Sequence, residues 1–479
     1  MHKSVISRIN RILWVVLLLS LPITSFPLLQ QLFGGTSVAP LAIVPLIILV
    51  IIEILPEIIA EKKLPLEFMP LLMFFGVALI ATFAANFIDI PSFREVPISK
   101  NSLEGVLTLI TGMAFFLAPI YLIKSEAQLR GTLIAIYIAA VVIIFFSLLQ
   151  GISLLVSKSY PGFLRSIQEL ISISGKLYRR RVTGLAFEPS WLAHQLNLLF
   201  IPFFLSMTVT GHSIFRSKLF KKFNYENLFL VLSLCTLVMS FSRIGWLSAI
   251  LLLGYVLFRL VAKRVDRTRY TGFVNTLIKI LIFIGILLLL VGIILIVGWI
   301  LTKVDPRMEK LFDVERYREF GFLGWAGQLG IAERMILWIS AYKVYLLYPL
   351  LGVGLGGAGY FFQNTLPDFG FRLPETNTVF IIDTFVPNAK NLWVRLLSET
   401  GIIGFIFFVV WIYGVIKNCC VLEKSDNNEY RSIGLFGKLV GLALVVEGFS
   451  MDTFGLPYIW LSFGIVVAVF RLKALSQKI

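Results

Sequence analysis

The chain is poor in the residues that build disulfide frameworks and metal centres. Only three cysteines and three histidines occur among 479 residues. Cys419 and Cys420 are neighbours, a poor geometry for pairing with each other, and Cys235 falls inside an apolar run. His2, His194 and His212 are scattered, and no Cys/His spacing of the zinc-binding kind is present, so neither a metal site nor a cofactor is expected. Charge is also scarce, at 15% of residues against about 25% in an ordinary soluble domain. The alternating pattern of barrel strands and low-complexity tracts are missing, and no internal repeat stands out.

What fills the chain instead is apolar. Hydrophobic residues make up 58% of it, and runs long enough to cross a bilayer recur from end to end. Backbone groups in hydrocarbon must satisfy one another within a segment, so these runs are read as helices. At roughly 20 residues per crossing there are about twelve candidates. They cover 12–32, 39–58, 66–88, 103–123, 132–156, 189–209, 227–242, 244–262, 275–301, 391–416, 433–449 and 455–471. The expected fold is an all-α polytopic integral membrane protein, with a large, partly helical extracytoplasmic loop before the tenth span. Met1 to Pro27 is basic and then apolar, like a signal peptide, but lacks a small-residue cleavage site and is read as a retained first span.

The formal net charge of +16 is explained by its placement. Lys3, Arg8 and Arg11 open a series continued by Lys62 and Lys63, by Lys124 and Arg130, and by Arg216, Lys218, Lys221 and Lys222. Lys263, Arg264, Arg267 and Arg269 follow, and Arg471, Lys473 and Lys478 close it. Basic loops alternating with less basic ones place both termini in the cytoplasm, with no nucleic acid required. The chain divides into N-terminal spans (1–156), a basic outer loop (157–182), central spans (183–301), a large outer loop (302–390) and C-terminal spans (391–479).

Two segments break this rhythm. Ser157 to Val182 carries Lys158, Arg165, Lys176, Arg179, Arg180 and Arg181 against Glu169 alone, although it falls on the outer side. It reads either as an interfacial segment touching lipid phosphates or as a substrate-facing one. Thr302 to Lys390 is the second, with helical character over Ile331 to Tyr348 and aromatic content that argues for an ordered cap. Within it, Gly352-Val353-Gly354-Leu355-Gly356-Gly357 has the spacing of a dinucleotide fingerprint but no strand before it. A turn allowing close backbone approach to a ligand or another helix is the better reading.

The charged residues at span edges carry the chemistry, because a charge there must be paired, solvated or ligand-holding. Glu188 precedes Pro189 at the start of the sixth span, and reads as a capping carboxylate or as a general base. Arg243, in Ser240-Phe241-Ser242-Arg243, is either a snorkelling side chain or a bidentate phosphate ligand. Arg334 opens the outer helix with Trp338 one turn on, and reads either as paired with Glu333 or solvent or as flanking a site where sugar faces stack on aromatic rings. Lys390 and Asn391 enter the tenth span, and Arg395 and Glu399 form an i,i+4 pair there.

Four pieces then occur in order: Arg181-to-Glu188, Ser242-Arg243, Arg334-to-Trp338 followed by Pro349-Leu350-Leu351-Gly352-Val353-Gly354, and Asn391-to-Gly404. In this arrangement, over roughly Gly184 to Gly404, the chain resembles the O-antigen ligase and Wzy-type O-antigen polymerase family. The resemblance implies glycan transfer at the outer face of a bacterial cytoplasmic membrane. The donor would be an oligosaccharide on undecaprenyl diphosphate, the acceptor a second glycan, and a chain-length regulator a further partner. It implies diphosphate binding by Arg243 and Arg334 without a metal, and substrate contacts from Arg181, Trp338, Lys390, Asn391 and Arg395. Ligases of the family typically carry His-Asn where this chain has Lys390-Asn391, and lysine is a cation at neutral pH, not a base. Glu188 is then the candidate for orienting or deprotonating the acceptor hydroxyl, with Asp383 behind it. Polymerisation of repeat units is the leading expectation and transfer of a finished glycan the second. Transport or flipping of an anionic lipid or solute is the reading from another class, disfavoured by charges gathered at span ends and not at the midplane.

Overall fold

The computed structural model describes residues 2–32, 37–215, 219–220, 223–266, 272–302, 309–372, 376, 380 and 385–476. Asp383, together with Arg216, Lys218, Lys221, Lys222, Arg267, Arg269 and Lys478, lies outside them.

The described residues form helices and connecting turns. In chain order the longer helices are α1 (His2–Ser20), α2 (Ile43–Ala60), α3 (Leu66–Phe87), α4 (Ile98–Leu122), α5 (Glu126–Val156), α6 (Gly162–Ile171) and α7 (Pro189–Thr210). Next come α8 (Tyr225–Met239), α9 (Arg243–Val265), α10 (Gly272–Thr302), α11 (Val314–Gln328) and α12 (Ile331–Leu347). The last are α13 (Leu392–Glu423), α14 (Asn428–Glu447) and α15 (Tyr458–Ser476).

Among the described residues 9 helices are long and apolar enough to cross a membrane, against the expected twelve or so: α2, α3, α4, α5, α7, α9, α10, α13 and α15. The chain is a multi-pass membrane protein. The difference in count has identifiable causes. α8 has 15 residues, about 22 Å of helix against a hydrocarbon layer of about 30 Å. α14 carries Glu429, Arg431, Lys438 and Glu447 in an otherwise apolar sequence. α1 includes Lys3, Arg8 and Arg11 and stops at Ser20, so the expected 12–32 crossing is not one helix. Pro22 and Pro27 interrupt it, each removing a backbone donor.

Local chemistry sets several boundaries. Ser125, Ser242, Asn391 and Asn427 cap α5, α9, α13 and α14 by accepting first-turn backbone N–H bonds. α3, α13 and α15 pack through rings, with Phe74 edge-on to Phe408 and Trp411 stacked on Trp460 at 5.1 Å. α10 packs chiefly along α9 and exposes Leu281, Phe283, Leu288 and Trp299 to the surroundings, as a lipid-facing helix does.

In the segment before the tenth span, α12 lies where helical character over Ile331 to Tyr348 is expected. The glycine-rich turn after it lies against helices. Val353 and Gly354 donate backbone N–H bonds to the carbonyls of Ser398 and Glu399 at 2.9 and 3.0 Å, and Leu355 donates to Thr82 Oγ1 at 3.0 Å. α13 yields at that place: Gly401 sits at φ +62°, and a Cβ on it would meet the Leu350 carbonyl oxygen at 2.1 Å. Only glycine fits such a crossing.

Candidate functional site

The approach to α7 is an extended strap whose backbone is satisfied by side chains. Gln150 Oε1 accepts from the N–H of Thr183 and Gly184 at 3.0 and 2.9 Å, and its Nε2 donates to the Gly184 carbonyl at 2.8 Å. Gln168 Nε2 donates to the Ala186 carbonyl at 3.0 Å, and Thr24 Oγ1 accepts from Phe187 N–H at 2.9 Å. Gly184 lies at φ +58°, where a Cβ would meet Ser147 Oγ at 2.7 Å. Non-repetitive backbone at this depth requires such partners.

The strap delivers Arg181 and Glu188. Arg181 Nε donates to the Ser240 carbonyl at 3.0 Å, beside a Val182 N–H to Met239 carbonyl bond of 3.1 Å. Those bonds set it against the corner that begins α9. Glu188 precedes the first turn of α7 and accepts a short bond from the Ser190 hydroxyl. Tyr178 senses both charges: burial and the Glu188 carboxylate hold its phenol above its ordinary pKa, opposed by Arg181. Tyr160 donates to the carbonyls of Tyr178 and Arg181 at 2.7 and 3.2 Å, and burial raises its own pKa.

Arg243 is the first residue of α9 and is partly buried. Its helix start rests on α7, where Asn197 Nδ2 donates to the Gly245 carbonyl at 2.9 Å. The same nitrogen reaches Glu447 Oε1 at 2.6 Å, and His194 Nδ1 meets Glu447 Oε2 at 2.5 Å. All three side chains are buried. A π-turn over Leu196–Phe200 brings Asn197 into this cluster.

Glu447 ends α14 and connects the strap to the second group of expected residues. Next to it, the Gly448 carbonyl accepts from Leu392 N–H at 2.7 Å, fixing the start of α13. Asn391 caps that start through Oδ1, which accepts from Trp393 and Val394 N–H at 2.9 and 3.2 Å. Lys390 adopts φ +48°, donates its backbone N–H to Asp452 Oδ2 at 2.8 Å and ion-pairs with Glu333. Arg395 is held by Glu399 at 2.9 Å, by the Asp452 carbonyl, and over the Phe454 ring at 4.8 Å. Trp338 lies 5.8 Å from Phe449, ring centre to ring centre.

Three donors in this second group stand out. Arg334 Nη1, Trp338 Nε1 and Asn391 Nδ2 are buried and have no hydrogen-bond partner among the described residues. Asn391 is oriented by its capping oxygen, so its free group is the N–H₂ end. Arg334 and Trp338 are four residues apart on α12 and share a face. Each unmet buried donor costs about 1–3 kcal/mol. Such a cost is offset when an acceptor-rich ligand arrives.

The structure thus brings the expected residues into two linked groups: Arg181, Glu188 and Arg243 on the strap and corner, and Arg334, Trp338, Lys390, Asn391 and Arg395 around the entry to α13. Glu447, which bonds His194 and Asn197, and Asp452, which holds Lys390 and Arg395 within the second group, were not singled out in the sequence. An isolated carboxylate in the 433–449 apolar run was the available signal for Glu447. His194 was noted only as scattered, because its partner lies 253 residues away.

Residues 228–409 match the model of a protein family described as O-antigen ligase, the family that the ordered motifs resemble. That stretch includes Arg243, Arg334, Trp338, Lys390, Asn391 and Arg395, whereas Arg181, Glu188 and Glu447 fall outside it. No curated protein matches the chain. The match supports a membrane glycan-processing function on lipid-linked glycan substrates, in a family of glycosyltransferase-like enzymes.

Proposed function

We propose that the protein polymerises oligosaccharide repeat units carried on undecaprenyl diphosphate, at the outer face of a bacterial cytoplasmic membrane with both termini in the cytoplasm. The observation that carries this reading is the trio of buried, unpartnered donors on Arg334, Trp338 and Asn391. A diphosphate-sugar offers many acceptor oxygens and two negative charges to such a set, and arginine suits phosphate in geometry and permanent charge.

In this reading Arg334, with Arg243 across the junction, holds the donor diphosphate and stabilises the charge that grows on it as the glycosidic C–O bond breaks. Trp338 offers a ring face to the sugar beside its N–H. Glu188 accepts the proton of the attacking acceptor hydroxyl, directly or through Ser190, whose hydroxyl it already holds. Attack from the face opposite the leaving group inverts the anomeric carbon. Lys390 and Arg395, whose charges are met by Glu333 and Glu399, shape the entry to α13 and add positive potential. A chain-length regulator would act on this polymerisation from outside the site.

The second reading is transfer of a finished glycan to a separate acceptor, favoured by the description of the matching family as a ligase. A transfer assay separates the two. Purified protein given only a lipid-diphosphate repeat unit, with chelator present, is expected to yield a ladder of products. A single product that requires a second acceptor would establish ligation instead. Lys390→His should leave a ladder-forming enzyme a polymerase; a new dependence on an added acceptor would place the distinction at that position.

A further inference from the structure

The end of the bundle opposite this site contains a cavity that the proposed reaction does not use. Arg243 and Arg259 are sixteen residues apart on α9, as are Arg431 and Glu447 on α14. At about 1.5 Å per residue, that is about 24 Å of helix, close to the thickness of the hydrocarbon layer. Between these far ends lies a cavity of about 230 Å³ lined by Val209, Thr210, Arg259, Leu260, Lys263, Glu423 and Arg431.

Its charges do not balance. Glu423 receives both Arg259 and Lys438, the latter at 2.5 Å. One carboxylate therefore faces two cations, while Lys263 and Arg431 add two more. Arg431 spends Nη2 on Asn428, yet its Nε is buried with no hydrogen-bond partner among the described residues. Ordinary topology-determining cations stay solvated, and a buried guanidinium donor without a partner is a different situation. Apolar side chains continue from the cavity along α9, where Leu253, Leu257 and Leu260 are 36%, 38% and 46% exposed. A ligand with an anionic head and acyl chains matches this combination of polar cavity and flanking apolar ridge.

A larger hollow of about 480 Å³, lined by Lys63, Leu64, Pro65, Leu66, Glu67 and Arg471, is the competing candidate. It has two cations against one acid, and no buried unpartnered donor among its described residues. The smaller cavity is the better-equipped anion site.

We propose that the cavity between α7, α9, α13 and α14 binds the phosphate headgroup of an anionic membrane lipid, with the acyl chains lying along the Leu253, Leu257 and Leu260 ridge. The headgroup sits among Arg259, Lys263 and Arg431 and supplies the acceptor that Arg431 Nε lacks.

The test is thermal unfolding of the purified full-length protein in detergent, titrated separately with dioleoyl phosphatidylglycerol, dioleoyl phosphatidylcholine and inorganic phosphate. The anionic lipid should raise Tm saturably, and the other two should not. Lys263→Gln and Arg431→Gln should each weaken the apparent affinity for phosphatidylglycerol by about fivefold, the effect of removing one cation near an anionic lipid. Lys263 is exposed, so its variant reports on binding even if the Arg431 change disturbs folding. Equal shifts from both lipids, a phosphate shift matching that of phosphatidylglycerol, or an undiminished response in Lys263→Gln would overturn the proposal.

Discussion

The strap from Arg181 to Glu188 and the helix α12 handle polar groups in opposite ways. Along the strap, backbone N–H and carbonyl groups are met by Gln150, Gln168, Thr24 and Tyr160. On α12, Arg334 and Trp338 each keep a buried donor without a partner among the described residues. One region meets its polar backbone groups from within the chain, and the other leaves side-chain donors unmet. Burial is common to both regions, and hydrogen-bond satisfaction is what separates them.

The largest effect should come from the incomplete side. Arg334→Met keeps length and removes the donors, and should lower the rate of product-ladder formation by about two to three orders of magnitude. Because it removes an unmet buried donor, thermal unfolding of the ligand-free protein should occur at an unchanged or higher temperature. A variant that loses activity only because it melts would erase the contrast between the two regions.

Gln150→Ala attacks the complete side. It leaves the Thr183 and Gly184 N–H groups and the Gly184 carbonyl unmet, and should cost about 2–3 kcal/mol of stability. Thermal unfolding would show this directly, while the activity of the protein that remains folded should fall by less than tenfold. A normal melting temperature with abolished activity would turn Gln150 into a participant in the reaction.

Smaller changes sharpen the comparison. Trp338→Phe retains a ring and deletes Nε1–H, so kinetics on the lipid-diphosphate donor should worsen about fivefold while the ligand-free protein melts no lower. Tyr160→Phe removes the hydroxyl that holds the carbonyls of Tyr178 and Arg181, and should cost about 1 kcal/mol in unfolding with little change in rate.

Much of the frame was legible in advance because the rules that set it are local. Apolar runs of sufficient length become helices in hydrocarbon whatever surrounds them, so each expected span from 39–58 onward falls on an observed helix, with ends that differ by up to seven residues. The helix opening at Ile331 and the Arg395–Glu399 pair follow from short-range spacing in the same way. The first span was misplaced because the two prolines after Ser20 were counted into an apolar run. Hydropathy of a run does not separate a long apolar helix from the short α8 or the charged α14, so 9 helices among the described residues are long and apolar enough to cross where about twelve were expected.

The site divides along the same line. Composition and order single out arginines, aromatic residues and the Lys390-Asn391 entry as candidates, since charges at span edges are conspicuous in sequence. Which of them are already engaged was decided by contacts across the chain: Lys390 with Glu333, Arg395 with the Asp452 carbonyl, and Glu447 with His194 and Asn197. The sequence by itself determined a helical membrane protein with cations at its span ends, because hydrophobic length and local hydrogen bonding require no partner. Only the tertiary structure decided which buried donors find a partner, because hydrogen-bond satisfaction depends on groups brought together from segments far apart in the chain.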